Sequence, residues 1–482
     1  MINRNSFFSA FRWSYAEQLL SQVISLIISI VLARLIEPGA FGTLAIVNSF
    51  IAIANAMTLT GFGSALIQKE DASDTDFSSV VYFSLLIAVT AYGIIWCLSP
   101  GIAAFFADPL ITDVLRVFSF ILITASFNTV QRAYIARRMQ FKLFFIAGLG
   151  AAVVSGGLGI FFAYQGYGVW ALIVEYLSRS VFNIIILWIL SGWRPRALFS
   201  IESIKGIYRF GSRIIISSLA DAVYQQLRSF AIGKKYTAAD LAYYDRGRQF
   251  PSILITNIDT TLANVLMPAL SRIQDDKIRV KYIIRRAIRT SSVILFPLLV
   301  GMAACAEDFV TLLLTDKWLP CVPYMQVLCM SLMMKPMITS GLQGILAIGQ
   351  SRAYMWLQLT QKAVGIIVLL GTILFFKSPF YIAIGEIAAY LLFLFVSAIP
   401  YKRCLNYTIY EQLSDIVPQF ILAIIMGAAV HYIRIFGFGS VQTLFLQIVT
   451  GGIFYICAAF ILKMDSFIYI LDFSLTFIRK KR

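Results

Sequence analysis

Charge is scarce in this chain. Of its 482 residues only 13% are Asp, Glu, Lys or Arg, against about 25% in a soluble domain, which argues against an ordinary globular enzyme. Histidine occurs once, at His431, so a His-rich metal site is excluded and no metal is expected. Six cysteines (Cys97, Cys305, Cys321, Cys329, Cys404 and Cys457) form no CxxC pair, and scattered membrane cysteines behave as small apolar residues. No GxxxxGK[ST] stretch occurs, so no phosphate-cradling loop and no ATPase are built in, and no cofactor is expected. Alternating strands of about ten residues, the mark of an outer-membrane barrel, are also missing. The first apolar segment is long and polar-striped and has no small-residue cleavage site after it, so it does not read as a cleavable signal.

What the chain has instead is apolar length. It is 59% hydrophobic, with mean hydropathy +0.81, and runs of about 20 residues, enough to cross about 30 Å of hydrocarbon as helix, recur throughout. The expected fold is all-α and polytopic, with about fourteen spans near 13–33, 41–67, 78–98, 113–134, 143–164 and 168–190, two within 210–276, then 290–305, 322–346, 354–376, 380–401, 418–435 and 443–462. The net charge of +16 invites a nucleic-acid reading, but its distribution rejects one. Twenty-five of the 40 Lys and Arg fall in alternate loops and the termini, six in the other loops and nine within spans. Basic loops stay on the cytoplasmic side, so both termini are expected inside. The basic balance adds attraction to anionic lipid headgroups. The segment 191–209 reads as a linker with an amphipathic interfacial helix.

The stretch 210–276 organises the rest. In FGSRIIISSLADAVYQQLRSFAIG, Arg213, Ser217, Asp221, Gln225 and Arg228 recur at helical spacing and share one face. The next span carries Asp245, Arg246, Arg248, Asn257, Asp259 and Asn264. A charge at the centre of a bilayer costs roughly 2.5–3.5 kcal/mol on insertion scales, so such a stripe is expected to line a water-filled cavity rather than face lipid. At an offset of 200 residues, 13–66 lies over 213–266, and Glu17, Ser21 and Ser25 fall on Ser217, Asp221 and Gln225. Six spans separate the copies, so they share one orientation, and parallel repeats of this kind pair two halves about the membrane normal. The division expected is a lobe at 1–200, a second at 201–402, and two added spans with a basic tail at 403–482. The site is expected between the lobes, lined by the first, second, seventh and eighth spans.

Nine basic residues lie within spans (Arg116, Arg132, Arg179, Arg213, Arg228, Arg246, Arg248, Lys335 and Lys362) against six acidic ones (Glu17, Glu175, Asp221, Asp245, Asp259 and Glu386). Arg116 and Arg132 lie near enough to span ends to snorkel. Surplus positive charge suits an anionic substrate, and the planar Arg fork matches phosphate oxygens. Arg213, Arg228, Arg246 and Arg248, with Gln225 and Asn257, are therefore the candidate substrate-binding residues. Glu17, Asp221, Asp245 and Asp259 are the candidates for holding a coupling proton or sodium ion. The competing reading is structural: intramembrane ion pairs hold helices together, and Glu175 and Arg179, four apart, can neutralise each other. The glycines of GAAVVSGGLG read as helix packing.

Two stretches carry a family likeness. LARLIEPGAFGTLAIV, after the first span, and AYYDRGRQFPSILITNIDTTLANVLMPALSRIQDD resemble the polysaccharide transporter family, the Wzx-type flippases. The first departs from the common pattern, with Gly39-Ala40 where an acidic residue often precedes Phe-Gly. The resemblance implies two six-helix lobes and two further helices, the fold of multidrug exporters and the lipid II flippase. It also implies an undecaprenyl-diphosphate-linked oligosaccharide as substrate, moved between leaflets of the bacterial inner membrane by alternating access. Pathway partners would be a polymerase and a chain-length regulator; no nucleic acid and no enzymatic activity are implied. The alternatives are a cation-coupled small-molecule exporter of the same superfamily, which would want an acidic cavity, and a non-transport assembly or polymerase subunit.

Overall fold

The structure is a computed structural model that describes residues 4–58, 62–69 and 71–479; within helices, the side chains of 4–12, 14–16, 19, 58, 64, 206–214, 216 and 473–479 lie outside the described residues. Among the described residues every element is helical, the arrangement that satisfies backbone polar groups within hydrocarbon.

By packing, the chain forms two units, Met1–Ala242 and Tyr243–Arg482. The first holds α1 (Arg4–Leu35), α2 (Pro38–Thr58), α3 (Phe62–Gln68), α4 (Asp74–Phe106), α5 (Leu110–Phe118), α6 (Ile121–Arg137), α7 (Phe141–Tyr164), α8 (Val169–Ser191) and α9 (Ile201–Lys235). Helix α10 (Ala238–Ser271) begins in it and runs on into the second unit. That unit contains α11 (Lys277–Ala304), α12 (Ala306–Leu314), α13 (Val322–Leu332), α14 (Lys335–Ala347), α15 (Ser351–Phe375), α16 (Phe380–Leu405), α17 (Ile409–Tyr432), α18 (Ser440–Ile461) and α19 (Asp465–Arg479). This division by packing is a different one from division by repeat.

Among the described residues twelve segments are long and apolar enough to cross a membrane, rather than the fourteen expected. The other two expected spans fall on α1, of which Leu20–Leu35 is apolar among the described residues, and on α9, whose polar stripe lowers its hydropathy. Among the described residues, the expected span 41–67 is covered by α2 and α3. The segment after α8 carries no separate interfacial helix: residues 201–209 are the first turns of α9, whose N-cap is Ser200. The basic stretch 277–289 is not a loop but the beginning of α11.

Helix boundaries repeat at the offset seen in the sequence. Helix α1 ends at Leu35 and α9 at Lys235; α2 begins at Pro38 and α10 at Ala238. The two turns cross within the first unit. A side chain on Gly42 would collide with the carbonyl of Ala238, so only glycine lets the backbones come this close. Beside the crossing, Phe50 packs on Phe230 at 4.8 Å and on Phe106 at 6.1 Å.

Small residues likewise bring α7 against its neighbours α1 and α8: a methyl at Gly159 would lie 2.8 Å from Glu175 Cβ, the close approach that membrane helices use where lipid supplies no hydrophobic drive. Caps fix other helix starts. Ser73 Oγ accepts from Asp76 N at 3.3 Å while Asp76 Oδ2 accepts from Ser73 N at 2.9 Å, a reciprocal capping box that opens α4. Thr408 and Glu411 do the same for α17.

Candidate functional site

The DRGR run puts an acid and two bases into the early turns of α10, and Gly247 fixes where they go. A Cβ there would lie 2.8 Å from Met325 N and from Tyr324 Cβ, so α10 abuts the start of α13 at this glycine, and Arg246 and Arg248 leave the helix on either side of the contact. Arg246 is 7% exposed; its guanidinium lies 5.3 Å from the centre of the Trp318 ring and Nη1 donates to Gln249 Oε1 at 2.5 Å. Arg248 Nη1 donates to Glu386 Oε2 at 2.7 Å and to Tyr244 Oη at 3.2 Å, and the Tyr244 hydroxyl donates to Glu386 Oε2 at 3.2 Å. Glu386, on α16, is 2% exposed. The charge of Arg248 is thus matched inside the fold.

Asp245 is partly buried, and the charges acting on it are those of Arg248 and Arg246. About three turns on, Asn257 Nδ2 donates to the Ile253 carbonyl of its own helix at 2.9 Å. Asp259 Oδ2 stands 3.5 Å from Lys335 Nζ on α14, tying those helices together.

The α9 candidates belong to the first unit. Asp221 and Gln225 are exposed and Arg228 is partly buried, at spacings of four and three that place them on one face. The side chain of Arg213 lies outside the described residues. Glu17, on α1, has its Oε1 4.0 Å from Arg132 Nη2. Glu175 and Arg179 are paired at 3.6 Å, and Arg179 Nη2 also donates to Ser25 Oγ at 2.5 Å, which joins α8 to α1. The structure therefore brings Asp245, Arg246 and Arg248 together, and places Asn257 and Asp259 further along the same helix.

Sequence reading missed the partner of Glu386. An acid within a span was visible, but its base lies 138 residues away, and spacing carries no signal at that range. It also missed Asp415, wholly buried on α17. Arg285 grips it in two hydrogen bonds of 2.8 Å, Arg289 Nε donates to it at 2.7 Å, and the Tyr407 hydroxyl at 2.9 Å. Lys281 Nζ pairs with Glu411 at 2.7 Å on the same helices. Arg434 pairs with Glu307 on α12, and this hydrogen bond holds the Glu307 carboxyl below the usual carboxylate range; burial pushes that of Asp308 up. An apolar groove of about 460 Å³ lies between α11, α17, α18 and α19, with Pro297, Met426, Gly451 and Tyr455 in its wall. Among the described residues no group of three or more His, Cys, Asp or Glu is placed to hold a metal. The polar chemistry of the site is therefore that of cations and carboxylates set in apolar helices, which can bind and release charged ligands.

Comparison with known proteins places this arrangement. The model of a family described as polysaccharide biosynthesis protein matches residues 31–323. The succinoglycan biosynthesis transport protein ExoT of Rhizobium meliloti is 21% identical over 68% of this chain and 66% of its own length. The lipopolysaccharide biosynthesis protein WzxC of Escherichia coli is 22% identical over 68% of this chain and 67% of its own. The chain thus spans about two thirds of the length of these two relatives. Among solved structures, the lipid II flippase MurJ in an inward closed conformation superposes with a TM-score of 0.72 at 13% identity, covering 94% of this chain and 99% of its own. The fold is that of MurJ.

Proposed function

This chain belongs to the polysaccharide biosynthesis protein family, and on that premise we propose that it is a flippase rather than an enzyme. Its substrate is an undecaprenyl-diphosphate-linked oligosaccharide repeat unit, carried from the inner to the outer leaflet of the bacterial inner membrane for surface polysaccharide synthesis. The observation that carries this reading is the DRGR turn of α10: buried Arg246 and paired Arg248 hold positive charge inside an apolar unit, with Asp245 and Glu386 beside them. Such charge is costly in hydrocarbon, and intramembrane charges mark substrate and ion pathways. The likeness in fold to MurJ and the transport and lipopolysaccharide roles named for ExoT and WzxC support it.

Transport proceeds by alternating access. With both termini cytoplasmic, the orientation the basic loops favour, the crossing of Gly42 over Ala238 lies at the outer end of the first unit. The diphosphate meets the cationic residues Arg213, Arg228, Arg246 and Arg248, Gln225 and Asn257 contact the sugars, and the polyprenyl tail stays in lipid. An inside-negative potential favours outward movement of anionic charge by about 2.3 kcal/mol per charge per 100 mV, so the diphosphate itself supplies part of the driving force. Glu17, Asp221, Asp245 and Asp259 are the carboxylates that could hold a coupling proton or sodium ion, and Asp259 stands beside Lys335.

Deletion of the gene in its host tests this reading. Lipid-linked repeat units should accumulate on the cytoplasmic leaflet while the glycosyltransferases that make them stay active. Unchanged surface polymer, with no accumulation, would overturn it.

A further inference from the structure

Three helices of the first unit converge on a second group of charged and aromatic residues, around the contact of Glu17 with Arg132. Helix α1 brings Trp13, Glu17 and Ser21; α6 brings Arg132; α7 brings Lys142, Phe144 and Phe145. The Arg132 guanidinium lies 4.5 Å from the centre of the Phe144 ring. Its nearest carboxylate, Glu17, is 4.0 Å away, outside hydrogen-bond distance. Among the described residues Arg132 donates no hydrogen bond, although 46% of its side chain is exposed. Lys142 Nζ stands 5.7 Å from the centre of the Trp13 ring, which packs on Phe145 at 5.3 Å. Gly148 makes room for the group: a Cβ there would meet Ser21 Oγ at 3.3 Å and Glu17 Oε1 at 3.8 Å.

We propose that Arg132, with Lys142, forms a diphosphate-binding subsite on the first unit, at the cytoplasmic mouth, with Trp13 and Phe145 as the surface for the first sugar. This rests on the flippase reading and deepens it.

The chemistry follows from the geometry. A guanidinium held face-on to an aromatic ring is fixed in plane, and its N–H edge stays available to a planar or bidentate acceptor such as a phosphate. A structural arginine in an apolar helix would spend those donors on a carboxylate or on carbonyls, as Arg285 does on Asp415. Arg132 does not. Through Trp13 and Glu17, one helical turn apart on α1, the Lys142 and Arg132 charges stand over the same end of that helix. Flat aromatic faces pack against the C–H faces of sugar rings, and Trp13 and Phe145 supply such faces beside the cations.

Position fits the direction of loading. Arg132 is five residues from the end of α6 at Arg137, about 7.5 Å along the helix. Arg137, Arg138 and Lys142 crowd the turn that follows, which places that turn on the cytoplasmic side.

The test uses the full-length protein in lipid nanodiscs, with geranylgeranyl diphosphate as the probe and geranylgeraniol as its uncharged control. Arg132→Ala should weaken diphosphate binding at least tenfold and Lys142→Ala about threefold. Arg132→Lys, which keeps the charge and loses the fork, should fall between wild type and Arg132→Ala. Glu17→Gln removes the competing carboxylate and should tighten binding several-fold. That gain cannot come from loss of folding, so it carries the test even where Arg132→Ala is unstable. None of these variants should change the affinity for the alcohol. Wild-type binding of the diphosphate with affinities within twofold in Arg132→Lys and Glu17→Gln would overturn the subsite and leave the flippase reading standing. Wild-type protein that does not distinguish diphosphate from alcohol would overturn both.

Discussion

Replacing Glu386 by leucine isolates the most consequential ion pair in the second unit. The carboxylate is 1% exposed, and its Oε2 accepts from Arg248 and from the Tyr244 hydroxyl. Removing one member of a buried pair strands the other charge, at about 3–5 kcal/mol. Arg248 keeps 27% of its side chain exposed, so hydration softens the loss toward the lower bound, about 3 kcal/mol; the stranded tyrosine hydroxyl adds about 1 kcal/mol. Pairing Glu386→Leu with Arg248→Met should restore most of this, because a buried ion pair exchanged for apolar residues of similar volume is often neutral. The assay is chemical unfolding in detergent, followed by thiol labelling of Cys305, Cys321 and Cys329, which are buried in the folded chain. A coupling of at least about 2 kcal/mol between the two sites is expected, within the range for residues in contact. A single-variant loss below about 1 kcal/mol, or a double variant no more stable than the single, would refute the reasoning. The same double variant separates structure from transport: stability restored with leaflet transfer lost assigns Arg248 to the substrate, and both restored assigns it to the fold.

Other perturbations have defined outcomes. Asp415→Asn breaks the paired hydrogen bonds from Arg285 and leaves Arg289 with a weaker partner; a loss of about 3 kcal/mol should appear as faster protease cutting between α16 and α17. Gly42→Val drives a branched side chain into the Ala238 carbonyl, so it should hold the α2–α10 crossing open, and a probe reacting with a cysteine at Ala238 should label it faster than in the parent. Glu307→Gln should cost under about 1 kcal/mol, since both partners are more than 40% exposed. Because the folded carboxyl is held low by Arg434, its contribution is present above the ordinary carboxylate range and lost as pH falls through the lowered value. Wild type and Glu307→Gln should therefore differ in melting temperature at pH 7 and converge in strong acid.

Much of this fold was legible because a bilayer imposes one length scale on the sequence. Runs of about 20 apolar residues located most of the helices, and the polar stripes of α1 and α9 stood out against them. The repeat was legible for the same reason, and helix ends at Leu35 and Lys235 carry the same offset. The continuation of α9 into the linker and of α11 into the basic stretch was not, since charged residues that read as loop by hydropathy are good helix formers beyond the hydrocarbon. At the site, composition pointed to surplus positive charge, and the DRGR run to where some of it sits. Which charges are matched was beyond reach: Glu386 meets Arg248 across 138 residues and Asp415 meets Arg285 across 130. Arg132 read as a snorkelling residue by its place near a span end, because only the fold brings Phe144 beneath it.

Transfer of a fluorescent undecaprenyl-diphosphate oligosaccharide between leaflets, in proteoliposomes of the purified chain, tests the central claim most directly. With an imposed potential, negative on the side from which the substrate is loaded, the label should become accessible to a membrane-impermeant quencher or glycosidase on the opposite face. The rate should rise with the potential and fall in Arg246→Ala. Folded, monodisperse protein that moves the label no faster than protein-free vesicles, at any potential, would contradict the account.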